Sequence, residues 1–316
     1  MSVPGSSGRA DVAVVGQVAR DLVLRIDELP EAGVSAAVAQ RRETLGGKGA
    51  NQAVALAQLG GTVGLVGVVG DDDTATAMLD RARQDGIDVR PVIRRAGAET
   101  GLIVEVLEAG GHYRYLEHLP DTVLLTEDDI AARADVLAGA RAVTVQLQQS
   151  AEAALAAARV GRAAGRLVVL DGVPATEQAD ELLDCADALR ADAREAELLA
   201  GEPITDPRAA LRHARGLLDR GPTLVALGVA GQGDVFAWPG GELFRPHAEV
   251  PVVDTTGAGD ALVAALTLAL VRGAAPDQAA RMATTAASIS VRHAGGRPRL
   301  RPDLIGAAPE AADRQA

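Results

Sequence analysis

The chain has 316 residues, of which 48% are hydrophobic and 23% charged, enough for one large α/β domain or two small ones. A formal net charge of −12 argues against nucleic acid or an anionic membrane as the main partner, because both need a dense basic face and none is visible. The lone cysteine, Cys185, rules out an intrachain disulfide and a four-cysteine zinc site.

Met1–Ala10 is small and polar and does not read as a signal peptide. Asp11–Gly16 (DVAVVG) is a β-branched run ending in glycine and predicts a buried strand. Ala50–Leu59 follows a glycine-rich turn, places Ala50, Ala53, Val54 and Ala57 on one face, and predicts an amphipathic helix stopped at Gly60–Gly61. Thr62–Val69 reads as a strand and the segment around Ala75–Asp85 as a helix, with the acid run Asp71–Asp73 as a solvated loop or its cap. The alternation continues with a strand at Ala142–Val145, a helix around Glu152–Ala164 and a strand at Leu167–Leu170. A helix from Arg208 to Asp219 and a strand at Leu224–Leu227 follow. Such alternation implies parallel β-α-β units, a doubly wound sheet with helices on both faces.

Two segments break the rhythm. Val34–Leu45 and Thr100–Leu125 carry strand-like residues with no helix between, and Ala109–Gly110–Gly111 marks a hairpin turn in the second. They predict a small antiparallel β lid, built from insertions at about 17–45 and 98–125 of a domain spanning 11–305. Residues 1–10 and 306–316 are expected to be flexible tails. The longest apolar stretch, Ala261–Val271, is well short of the ~20 residues that span a bilayer, so a cytoplasmic protein is expected.

The sharpest motif is Asp254–Thr255–Thr256–Gly257–Ala258–Gly259–Asp260, which runs straight into that apolar stretch. Glycines at a loop-to-helix junction let successive N–H groups converge, with the positive end of the helix dipole behind them. The result is an anion hole suited to a transferring phosphoryl group, with Asp260 in the first helical turn beside it as a proton acceptor. Taken alone, the two glycines would better suit a tight turn capped by Asp260 than a site. An apolar helix behind the turn, and two acids within the motif, favour the functional reading. Gly46–Gly47–Lys48–Gly49–Ala50–Asn51 also opens a helix, offering a charged donor and an amide able to read hydroxyls. It is not a Walker A loop, and neither protein-kinase signatures nor a dinucleotide fingerprint occurs.

Together DTTGAGD and GGKGAN-QAVALAQLG resemble the two signature motifs of the ribokinase-like carbohydrate kinases, the PfkB family. The resemblance covers nearly the whole chain, with Gly67–Asp72 and Asp85–Val89 in agreeing order and spacing. It implies a doubly wound α/β fold with a β lid that mediates a homodimer, and ATP-dependent transfer to a primary hydroxyl of a sugar or sugar-like substrate. ATP, Mg2+ and a monovalent cation, K+, are the implied ligands. Asp260 matches the catalytic base, and Gly257, Ala258 and Gly259 the anion hole. Asp21, Gly47, Lys48 and Asn51 match sugar-contacting positions. Leu227, Gly228, Gly231 and Gly233 resemble a nucleotide loop. Asp254 and Thr256 match cation-binding positions, faced by the segment Ser288–Arg297 with its His293–Gly296 turn.

Three departures stand out. An asparagine expected two residues before Asp21 is Ala19. A substrate-reading glutamate is Gln148, which can donate as well as accept. The N-x-x-E motif linked to magnesium and phosphate reads Asp192–Ala193–Arg194–Glu195, which keeps an oxygen ligand. Ala19 and Gln148 turn the expectation away from D-ribose and keep open nucleosides, fructose or a sugar phosphate, or a catalytically silent sugar-binding protein on this fold.

Overall fold

A computed structural model describes residues 9–110, 112–292 and 299–303. The chain runs from β1 (Val12–Val15) into β2 (Ala19–Ile26) and β3 (Gln40–Gly46), then α1 (Lys48–Gln58). Next come β4 (Val63–Val66), β5 (Val68–Gly70), α2 (Asp73–Gln84) and β6 (Ile93–Arg95). The hairpin β7 (Gly101–Glu108) and β8 (Tyr113–His118) leads to α3 (Glu127–Ala131) and α4 (Ala134–Gly139). After it come β9 (Ala142–Gln146), α5 (Ala151–Ala163), β10 (Leu167–Asp171), α6 (Ala179–Cys185), β11 (Ala188–Ala191), α7 (Ala193–Ala200) and α8 (Pro207–Leu218). The described elements end with β12 (Leu224–Val229), β13 (Gly233–Trp238), β14 (Gly241–Pro246), α9 (Ala258–Val271) and α10 (Pro276–Ser290).

Eight strands form the central sheet in the order β14-β13-β12-β11-β10-β9-β1-β4. From β4 to β12 every pairing is parallel, and β13 and β14 add an antiparallel edge. The parallel strands read as unbroken apolar runs because both faces are covered. Helices α5, α6 and α8 cover one face; α1, α9 and α10 cover the other.

The lid is a separate four-stranded sheet, β3-β2-β7-β8. It is mixed rather than antiparallel: β2 and β7 run parallel, with Asp21 opposite Ile103. A parallel pair needs a crossover, and here the chain returns through α1, β4 and α2 before re-entering the lid. Of the segment 34–45 only its end is a strand, and its partner is Ala19–Ile26, whose Arg20, Asp21 and Arg25 hide the apolar pattern. Asp72 caps α2 as expected, accepting from the Ala75 N–H at 2.7 Å. Residues 1–8, Gly111, 293–298 and 304–316 lie outside the described residues, and with them the expectations for most of the tails and for the His293–Gly296 turn. Among the described residues, no helix is long and apolar enough to cross a membrane.

Two features place the site. Helix α9 is packed between α1 and α10 and buries eleven of its fourteen residues, so its first turn is fixed by the core. Helix α1 lies against the end of β1: a Cβ on Gly49 would sit 2.6 Å from the Gly16 carbonyl carbon and 2.7 Å from its Cα. Main chain cannot give way there, so Gly49→Ala is expected to destabilise the fold by about 2 kcal/mol, measured by urea unfolding.

Candidate active site

The first turn of α9 is entered through Gly257 at φ 74°, a left-handed conformation that favours glycine, and no side chain caps the helix. The Ala258 N–H donates to the Thr255 carbonyl at 3.2 Å, so this amide closes the turn on itself. The next two, on Gly259 and Asp260, have by position no carbonyl within the helix to meet.

A cleft of about 310 Å³ ends at this turn. Its walls include Asp192, Gly228, Gly231, Gly233 and Asp234 on one side and Thr255, Ala258 and Gly259 on the other, with Arg190 between. Gly228, Gly231 and Gly233, predicted as a nucleotide loop, thus share a cavity with the predicted anion hole. Leu227 is fully buried within β12 and is not part of the wall.

Asp260 is buried, and both its oxygens are held from α1: Asn51 Nδ2 donates to Oδ2 at 3.2 Å and Gln52 Nε2 to Oδ1 at 3.3 Å. Burial, followed by the Asp171 carboxylate, pushes its pKa up to about 7 against the pull of Lys48, Asn51 and Arg190. The Gln52 amide also donates to Asp171 Oδ2 at 2.8 Å, and Arg190 Nη1 donates to Asp171 Oδ1 at 3.0 Å. Sequence reasoning missed Gln52, Asp171 and Arg190.

Asp21 lies in β2 and is buried, its carboxylate occupying the space where Gly46 would carry a Cβ. Burial raises its pKa to about 7, aided by Glu105 and Asp260 and opposed by the Gly47 N–H and Arg42. Among the described residues Asp21 Oδ1 and Asn51 Oδ1 are buried without a hydrogen-bond partner. Lys48 Nζ is 3.7 Å from Glu195 Oε1. Glu195 and Asp192 form a capping box at the start of α7, using Glu195 Oε2 and Asp192 Oδ1. Gln148 is exposed, and its main-chain carbonyl accepts from Gln17 Nε2 at 3.0 Å.

Asp254 is buried and accepts the Thr256 N–H at 2.8 Å. The N–H groups of Val253 and Asp254 both donate to the Val291 carbonyl, at 2.8 and 3.2 Å, so the two sides of the predicted cation loop meet. The lid closes on this loop, with Tyr115 and Thr256 hydroxyls hydrogen-bonded and Thr256 Oγ1 3.5 Å from Glu105 Oε1. Glu105, on β7, is buried, and burial together with Asp254 raises its pKa to about 7. Its signal in the sequence was a carboxylate within the apolar run GLIVEVLE.

The model of the pfkB family carbohydrate kinases matches residues 9–302, nearly the whole chain. The chain belongs to the pfkB family. It is therefore an ATP-dependent carbohydrate kinase, in agreement with the motif reading. It is 28% identical over 293 residues to a ribokinase of Haemophilus influenzae, covering 91% of this chain and 94% of that one. A bifunctional ribokinase/ribose-5-phosphate isomerase A of Fructilactobacillus sanfranciscensis is 29% identical over 81% of this chain, which spans 47% of that protein's length. The crystal structure of Arabidopsis thaliana ribokinase complexed with ribose and ATP superimposes with a TM-score of 0.77 at 25% identity, covering 94% and 97% of the two chains. Fold and enzyme class are thus those expected of a ribokinase-like kinase.

Proposed function

We propose that this kinase moves the γ-phosphoryl group of ATP onto a primary hydroxyl of a sugar or sugar-like acceptor, with Asp260 as the base. One observation carries the reading: the glycine-walled cleft ends on the very turn whose carboxylate is held by Asn51 on the other side. ATP would lie in the cleft with its phosphates towards the Gly259 and Asp260 amides, and the acceptor beneath the lid beside Asp21, Gly47, Lys48 and Asn51. The orphaned oxygens of Asp21 and Asn51 suit the hydroxyls of a polyol. Asp260 would take the proton as the acceptor oxygen attacks in line, and Lys48 would meet negative charge on the transferring group.

Glu195 Oε1, the hard oxygen left over by the capping box, fits Mg2+, which when bound neutralises charge on the phosphates. The oxygen donors of the loop holding Asp254 and Thr256 fit K+. The lid strand β8, exposed along its length with Tyr113 and Leu116 outward, is the surface we assign to a homodimer.

Asp21, Glu105, Asp254 and Asp260 on the acceptor side outnumber the Arg42 and Lys48 cations that face them, a balance that favours a neutral acceptor over a sugar phosphate. Neutral pentoses, hexoses and nucleosides are the acceptors to screen. ADP release with ATP and D-ribose, 2-deoxyribose, fructose or nucleosides tests the reading, and no turnover with any neutral polyol would remove it.

Burial raises the pKa of each of Asp21, Glu105 and Asp260 to about 7. A base must be ionised, so kcat/KM is expected to rise from pH 5.5 to pH 8. Stability moves the other way. Carboxylates whose folded pKa is raised bind more protons folded than unfolded, so their contribution is full below their unfolded pKa and is lost as pH rises through about 7. The ligand-free protein is expected to show a Tm that falls from pH 5.5 to pH 8, measured by calorimetry.

A further inference from the structure

We propose that Arg190 and Asp171 form a buried charge couple that positions Asp260 through the side chain of Gln52. The inference rests on Asp260 being the base and adds three residues to its support. Asp171 ends β10 and pairs in register with Arg190 on β11, so the sheet itself sets the two side chains together. Gln52, fully buried on α1, uses one amide nitrogen to bridge Asp171 at 2.8 Å and Asp260 at 3.3 Å. Asn51, one residue earlier, holds the other oxygen of Asp260. The carboxylate is thereby gripped at both oxygens, which fixes its plane, and such orientation is what a near-attack geometry needs.

The charge on Arg190 is what lets this bridge exist. Two buried carboxylates sharing one neutral amide repel each other, and an uncompensated charge in the interior is strongly unfavourable. Arg190 lies on the far side of Asp171 and supplies the opposite sign at 3.0 Å. Its guanidinium also packs on the turn: a Cβ on Gly259 would sit 2.6 Å from Nη2. One side chain therefore braces both the helix turn and the carboxylate that tethers the base. Lys48 and Asp21 also face Asp260, from α1 and the lid, but neither is hydrogen-bonded to it among the described contacts.

The test compares Arg190→Met, Asp171→Asn, the double variant and Gln52→Met in the full-length protein. The readouts are kcat and both KM values per folded molecule, with ATP and D-ribose or whichever screened acceptor turns over fastest. Arg190→Met leaves Asp171 uncompensated, and Asp171→Asn removes one of the three carboxylates facing Arg190, with Glu195 and Asp234 remaining, and turns more of its charge towards Asp260. Each is expected to lower kcat about 30- to 100-fold while the acceptor KM moves by less than about threefold. The double variant keeps an oxygen for Gln52 and removes both members of the couple, so its kcat is expected to recover about tenfold over Arg190→Met. Gln52→Met cuts the bridge without touching the charge couple and is expected to lose kcat like the single variants, which decides the matter if Arg190→Met does not fold. Variants that lose only Tm and keep wild-type kcat, or a double variant as slow as Arg190→Met, overturn the inference. Asp260→Asn is run beside them. If it too turns over normally, the base assignment itself has failed; if it alone is inactive, only the positioning role falls.

Discussion

Asp260→Asn is expected to lower kcat about 10³-fold while leaving the KM for ATP and for the acceptor within about threefold of wild type. The substitution is nearly isosteric, so the packing of the α9 turn survives. Its oxygen can still accept from Gln52, but the amide can no longer receive a proton or carry charge. Because the residue is buried and its pKa is raised to about 7, water and exposed carboxylates are poor substitutes for it. Steady-state kinetics with calorimetric binding of ATP separates the lost chemistry from lost binding. Turnover near the wild-type level would end the mechanism.

The second large effect is expected on the acceptor side. A Cβ added to Gly46 would fall 1.8 Å from Asp21 Cγ, so Gly46→Ala must expel the Asp21 carboxylate from its place. Loss of a charged, buried acceptor of hydroxyl hydrogen bonds costs about 3 kcal/mol, or about 10²-fold in affinity. Gly46→Ala and Asp21→Ala are therefore expected to raise the acceptor KM about 100-fold alike, with the KM for ATP nearly unchanged because neither residue lines the nucleotide cleft. Kinetics with varied acceptor at saturating ATP checks this. A Gly46→Ala enzyme with a normal acceptor KM would show that Asp21 does not hold the sugar.

Much of this molecule was legible in the chain. The β-branched runs at Val12–Val15, Ala142–Gln146 and Leu167–Asp171 are strands because both sheet faces are covered, and their apolar continuity says so. The glycines around Asp260 marked a helix entry that the fold does place at a cleft. What the chain hid was pairing across long separations. Gln52 and Asp171 lie 119 residues apart, and each alone reads as a mid-helix amide or a strand-end acid. The parallel β2–β7 pair likewise joins segments separated by four strands and two helices, so local turn signals could show only its hairpins. Gln148 shows the reverse limit: its position in a motif drew attention to a side chain that the fold leaves exposed, while the neighbouring Gln146 is the buried one.

In the proposed mechanism nucleotide and acceptor meet at the first turn of α9. A crystal structure of the enzyme with ADP, Mg2+, aluminium fluoride and a turned-over acceptor measures this most directly. The fluoride ligands are expected within hydrogen-bonding distance of the Gly259 and Asp260 amides, and the acceptor oxygen between the aluminium and the Asp260 carboxylate. An aluminium fluoride bound elsewhere in the cleft, or an acceptor hydroxyl out of reach of Asp260, would contradict it.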